Sequence, residues 1–312
     1  MDDVRTDEKP EEDERQTTQV GRAEQTAAGS AAIRAALGLD TPTSPPASTP
    51  DSKGRLPMRN HIRLACTFAA LAAVLLAVLA GPAGATTPIS KSQRELVIVS
   101  TDLSQGGAVE RALYDLVEMG GVGLGIGALG PRYNTVYLLS GAAATQTNFV
   151  SRLGESTAKQ GVRAVDVIFM THGLSDTIVF TTGGSVTAAS LRDRIVHSLS
   201  ASQRAKLRML FSTACFGASH RSAWRDAGFK MVSGSRKVYA DSAASYPVFL
   251  GTWTVGGSFS TAIAGANAAG TTSGWDAVAS LWAAAHGYWW AGEVDSFRLT
   301  SGSTSLTINT MP

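Results

Sequence analysis

Val165-Asp166-Val167-Ile168-Phe169-Met170 runs into Thr171-His172-Gly173, and Leu207-Arg208-Met209-Leu210-Phe211 runs into Ser212-Thr213-Ala214-Cys215-Phe216-Gly217. Each is a short, mostly apolar run that stops at a reactive side chain. Runs of this length, bounded by turn residues, read as strands buried on both faces. In an open parallel sheet the usable crevice lies outside the carboxyl ends of the strands. Two neighbouring parallel strands would therefore bring an imidazole and a thiol to one sheet edge, as a thiolate–imidazolium nucleophile requires.

The flanking sequence repeats the alternation of strand and helix. Leu96–Ser100 reads as the first strand, with Ser104 capping a helix through Val109, Ala112, Leu113, Leu116 and Val117. Thr135–Leu139 is the second strand, and a helix from about Thr147 to Lys159 follows it. After His172, Thr177–Phe180 and Gly183–Val186 form a hairpin, and Thr187 caps a helix carrying Leu191, Ile195, Val196 and Leu199. A helix starting near Phe216 would set its positive end beside the Cys215 sulfur and lower its pKa. Phe229–Ser233 is a fifth strand. Ser258 opens a helix through Phe259, Ala262 and Ile263, and Trp275–Ala285 is another with Val278, Leu281 and Trp282 on its apolar side. The fold expected is α/β, a mostly parallel sheet covered on both faces. Gly120 to Gly130 is read as a glycine-rich loop. Its Gly125-Ile126-Gly127-Ala128-Leu129-Gly130 matches a dinucleotide fingerprint as a string, yet it leaves a helix and enters a strand, the reverse of what phosphate binding needs.

The ends read differently. Residues 1–57 carry eleven acids and seven bases and finish in a Pro/Ser/Thr tract, a composition that cannot bury enough apolar surface to order itself. Met58 begins an export signal: Arg59, His61 and Arg63 form a basic head, Leu64–Ala80 an uncharged apolar core, and Ala83-Gly84-Ala85 a small-x-small cleavage site. Cleavage is expected after Ala85, giving a secreted protein; the alternative is a single-pass membrane anchor. Met58 is itself an alternative start. The division expected is a 1–57 extension, a 58–85 signal and an 86–312 domain with a net charge of +4 and no basic run. Cys66 leaves with the signal, so Cys215 remains as a lone thiol that is either inert and buried or reactive.

Thr171-His172-Gly173 and Ala214-Cys215, about forty residues apart across a hairpin and a helix, resemble the motifs of the caspase-like cysteine peptidases. That group includes caspases, metacaspases, legumains, gingipains, clostripain and separase, and the resemblance covers about Leu96 to Ala269. It implies a three-layer sandwich with a mostly parallel central sheet and a Cys-His dyad at its carboxyl edge. Cys215 would be the nucleophile and His172 the general acid/base, with the backbone N–H groups of Gly173 and Cys215 as oxyanion donors. Thr213 stands where relatives that cut after basic residues often place an acid. Asp102 matches a position that lines the specificity pocket in metacaspases, and Asp241 is a second acidic candidate; both favour cleavage after a basic residue. Arg236 and Lys237 would instead suit an acidic substrate residue.

His197, His220 and His286 are read as structural or surface residues, and no metal or other cofactor is expected. The partner expected is a peptide or protein substrate, not nucleic acid, with membrane contact only through an uncleaved signal. The competing readings are a catalytically silent caspase-like module that binds a peptide or partner, and an unrelated α/β protein with a buried cysteine.

Overall fold

A six-stranded sheet organises the computed structural model, which describes residues 86–101, 120–180 and 184–312. A short strand, β1 (Thr87–Pro88), precedes β2 (Arg94–Ser100); helical residues 120–129 then lead to β3 (Thr135–Ser140). Next come α1 (Gln146–Ala158), β4 (Ala164–Met170), β5 (Gly173–Leu174), β6 (Thr177–Phe180) and β7 (Gly184–Thr187). Helices α2 (Ala188–Ser198) and α3 (Ala201–Arg204) lead to β8 (Leu207–Ser212), α4 (Arg221–Ala227) and β9 (Met231–Ser235). The chain finishes with α5 (Ser242–Thr254), α6 (Phe259–Ser273), α7 (Trp275–Ala285), β10 (Arg298–Gly302) and β11 (Thr310–Met311). All described residues belong to the unit Ala85–Pro312.

The sheet order is β3-β2-β4-β8-β9-β10. Its first five strands are parallel, and β10 closes the edge antiparallel to β9. Strand alternation sorts the side chains onto two faces. Val97, Val99, Val167 and Phe169 pack with Phe149 and Leu153 of α1, Leu191 and Ile195 of α2, and Trp224 of α4. Leu96, Ile98, Ile168, Met209 and Phe211 pack on the other face with Tyr246, Phe249 and Trp253 of α5 and Phe259 and Ile263 of α6. Three layers result, as expected from the sequence. Thr187 Oγ1 and Ser258 Oγ cap α2 and α6 by accepting from Ser190 N–H and Thr261 N–H.

The charged residue near the start of each decisive run has a structural use. Asp166 and Arg208 are fully buried on neighbouring strands, with Arg208 Nε 2.9 Å from Asp166 Oδ1. Tyr133 OH also donates to Asp166, and Arg208 Nη1 donates to the carbonyls of Ile308 (2.7 Å) and Thr310 (3.0 Å). The pair thereby fastens the carboxyl-terminal segment to the sheet.

Several expectations change. Residues 120–129 are helical rather than a glycine loop, because glycine tolerates helical dihedrals wherever packing rewards close approach; Gly121 lies against the Met170 side chain and Gly125 against the Tyr246 hydroxyl. The fifth strand is Met231–Ser235, two residues later than read. Val278, Leu281 and Trp282 of α7 are exposed, because α7 packs chiefly against the turn Trp289–Glu293 and Trp282 stacks on Tyr288. The helix capped by Ser104, Asp102, the 1–57 extension and the 58–85 signal lie outside the described residues. Among the described residues no helix is long and apolar enough to cross a membrane.

Candidate active site

Strands β4 and β8 pair in parallel with Phe169 opposite Ser212, and the ladder continues as Thr213 N–H donates to Phe169 C=O at 2.8 Å. His172 and Cys215 each stand three residues beyond that register pair, at the carboxyl end of the sheet, and both are half-buried. The two apical segments touch: a Cβ placed on Gly173 would sit 2.6 Å from the Cys215 carbonyl oxygen and 2.9 Å from Ala214 Cβ. Only glycine fits this approach.

Backbone pairing fixes the direction of the Gly173 amide. Val179 N–H donates to His172 C=O at 3.0 Å, which makes His172–Val179 the hydrogen-bonded kind of antiparallel pair. The next pair, Gly173 with Ile178, is then the non-bonded kind, and the Gly173 N–H points out of the β5–β6 ladder.

The Cys215 segment is laid onto β9. Phe216 N–H donates to Lys237 C=O (2.7 Å) and Ala218 N–H to Ser235 C=O (2.8 Å). Gly217 and Gly234 meet so closely that a Cβ on Gly234 would fall 2.2 Å from the Gly217 carbonyl carbon. Phe216 takes a left-handed φ of +55°, so no helix begins beside the thiol; α4 starts only at Arg221. The expected lowering of the thiol pKa by a helix end is therefore absent. Burial instead pushes the Cys215 pKa up, partly opposed by the Tyr239 N–H, which lies 3.4 Å from Sγ, and by the cysteine's own amide.

Arg298 and Tyr239, which the sequence did not single out, complete the support. The buried Arg298 guanidinium donates to Ser212 C=O at the end of β8 and to Ser233 Oγ (3.1 Å). It lies over the rings of Phe211 (3.8 Å) and Tyr239 (4.9 Å).

The specificity candidates separate. Thr213 Oγ1 turns back toward Phe169 C=O (3.4 Å). Asp241 is 4 % exposed and accepts from Ser245 Oγ (2.9 Å), with Gly270 pressed against its carboxylate. It lines a cavity of about 350 Å³ together with Asp276, Asp295, Arg236, Asn267 and Phe297. Burial pushes the Asp241 pKa up to about 6; the Ser245 hydrogen bond opposes the shift and the Asp276 charge adds to it. The segment Lys237–Asp241 runs from the thiol to this cavity. Ala240 and Asp241 N–H both donate to Ser296 Oγ, which is in turn bonded to Asp276. Arg236 is paired with Asp295 (3.6 Å) and Lys237 with Glu293 (2.8 Å), so both cations of the basic alternative are already matched.

His197 and His286 are exposed, whereas His220 is fully buried beside Gly173. Among the described residues no three His, Cys, Asp or Glu gather as a metal site.

No protein-family model matches this sequence. No curated protein matches it either. Among solved structures it is similar to Caspase-1 from Spodoptera frugiperda, at 11 % identity and a TM-score of 0.45, over 72 % of this chain and 93 % of that one. It is also similar to a secreted C11 cysteine protease from Bacteroides thetaiotaomicron, solved with an irreversible peptide inhibitor. There the identity is 14 % and the TM-score 0.35, over 52 % of this chain and 53 % of that one. For the Drosophila initiator caspase Dronc the values are 13 % and 0.33, over 54 % and 66 %. The chain thus spans about half of the Bacteroides protease. The similarity is to caspase-like cysteine proteases and lies at the level of fold alone.

Proposed function

We propose that the chain is an exported cysteine endopeptidase acting through Cys215 and His172. The observation that carries this reading is the matched placement of the two residues, three positions beyond one register pair, with Gly173 set against the Cys215 backbone. The Cys215 thiolate attacks the scissile carbonyl carbon, after His172 has taken its proton. The N–H groups of Gly173 and Cys215 hold the oxyanion, and His172 then gives its proton to the leaving amine. Water next attacks the thioester, again losing a proton to His172, and the cysteine leaves as thiolate.

On this reading 1–57 is an extension, 58–85 a signal removed after Ala85, and 86–312 the catalytic domain. The substrate is a peptide or protein, and the acidic cavity at Asp241 receives a basic residue before the cut, with Asp102 and Thr213 as the further specificity candidates. The burial of the thiol favours a second reading, a silent module of the same fold that binds a peptide without cleaving it. A peptide-library digest with wild type, Cys215→Ala, His172→Ala and the double variant separates the two. The peptidase reading requires both single variants to lose turnover, and the double variant to be scarcely worse than either. Full activity in folded Cys215→Ala, or an inactive wild type, rejects it.

A further inference from the structure

Among the described residues, two that are not glycine have positive φ: Asp176 (+55°), four residues after His172, and Phe216 (+55°), immediately after Cys215. Such residues are strained and persist where their surroundings hold them. One side chain joins the two. Ser219 Oγ accepts from Asp176 N–H (2.8 Å) and donates to Phe216 C=O (2.8 Å). The next residue reinforces the link. His220, fully buried ahead of α4, has Nε2 3.0 Å from Leu174 C=O, and its Cε1 lies 3.3 Å from where a Gly173 Cβ would stand. A carbonyl oxygen only accepts, so Nε2 carries a proton. Nδ1 is buried without a hydrogen bond, and burial holds the ring below the usual imidazole pKa despite Asp176 nearby. Burial thus favours the neutral ring, with its proton on Nε2.

We propose that Ser219 and His220 are positioning residues that clamp the turn after His172 to the loop after Cys215, and so set the separation of imidazole and thiol. The proposal rests on the dyad reading. Neither residue is assigned contact with the reacting atoms. Their effect is to hold two apical loops that the sheet alone leaves three residues past its last register pair.

The test uses the full chain carrying Cys66→Ser, so that Cys215 is its one thiol. His220→Ala, His220→Gln, Ser219→Ala and His172→Ala are compared with that parent. Three quantities are read: kcat and KM on a peptide the parent cleaves, the Cys215 alkylation rate by iodoacetamide from about pH 6 to 9, and the melting temperature. His220→Ala should lower kcat about a hundredfold with KM within about twofold, as expected for an ångström-scale misplacement. Its alkylation profile should move toward that of His172→Ala. His220→Gln, whose amide can donate to Leu174 C=O, should restore most of the rate. Ser219→Ala should lose about tenfold in kcat.

A merely structural role would lower the melting temperature and leave kcat and the alkylation profile of the folded protein unmoved; that result overturns the clamp. If His220→Ala does not fold, His220→Gln and Ser219→Ala decide. Retained kcat in His220→Gln with a reduced kcat in Ser219→Ala supports the clamp, and parent values in Ser219→Ala overturn it. A profile indifferent to His172→Ala rejects the dyad and the clamp together. A profile that depends on His172 but not on His220 or Ser219 rejects the clamp alone.

Discussion

The α-carbon of Gly173 approaches Cys215 so closely that a single methyl group on it would meet the Cys215 carbonyl oxygen at 2.6 Å. Both partners are backbone, so a side chain cannot swing away to make room. Gly173→Ala is expected to destabilise the fold by about 1–3 kcal/mol, as overpacking does. It should also cut kcat by about a hundredfold, through displacement of the apical loops. Urea unfolding and steady-state kinetics check the two effects. Gly127→Ala is the control: its Cβ would meet nothing within 4 Å in helical residues 120–129, so it should be neutral or slightly stabilising.

Asp241 gives a pH signature. Its folded pKa of about 6 lies above the ordinary carboxylate value, so the native state binds this proton more readily than the unfolded chain does. The associated stability is fully present below about pH 4, and is lost as pH rises through about 6. Asp241→Asn should therefore melt higher than wild type at pH 8, with the difference closing toward pH 4. If the cavity receives a basic substrate residue, KM for such peptides should fall as pH rises through about 6 and Asp241 ionises. The Asn variant should lack this dependence.

Asp166 and Arg208 set a second stability test. Burial alone would lower the Arg208 pKa; the charge and hydrogen bond of Asp166, joined by Tyr133, together more than restore it. Breaking a buried pair leaves the other charge without its partner and costs about 3–5 kcal/mol. Asp166→Asn should shift the urea midpoint downward accordingly, without a direct effect on the Cys215 end of the sheet. Joint replacement by Asp166→Leu and Arg208→Met should be less damaging than the single change, although the carbonyls of Ile308 and Thr310 then lose their donor.

Export is tested by sequencing the amino terminus of protein from the culture medium. The expected first residue is Thr86, one position before β1. An intact chain confined to membranes would show that the segment anchors instead.

The parallel core and both apical residues were legible because short apolar runs ending in turn residues have few other interpretations. The caps at Thr187 and Ser258 were equally plain. Helix α5 is hard to see in the sequence: Tyr246, Phe249, Leu250 and Trp253 are spaced for one buried stripe, but Pro247 and Gly251 break its pattern. The exposed side of α7 was misjudged because periodicity reveals an apolar face but not what covers it. The thiol's surroundings were not legible at all. A left-handed Phe216 carries no sequence signal of the kind glycine would give, and the hydrogen-bond partner of the buried His220 is the Leu174 carbonyl, distant in the chain.

Thr87 and Pro88 pair with Met311 and Thr310, and Arg94 Nη1 donates to Ile308 C=O and, at 2.7 Å, to Asn309 Oδ1. The first strand of the described residues thus pairs with a segment far along the sequence. A polypeptide made or threaded amino end first cannot close this seam until Ile308, Asn309, Thr310 and Met311 emerge. Native contacts of such sequence separation form slowly. The seam lies at the amino ends of the strands, opposite the reactive edge, and would consequently close after the segments between its two halves have taken their places.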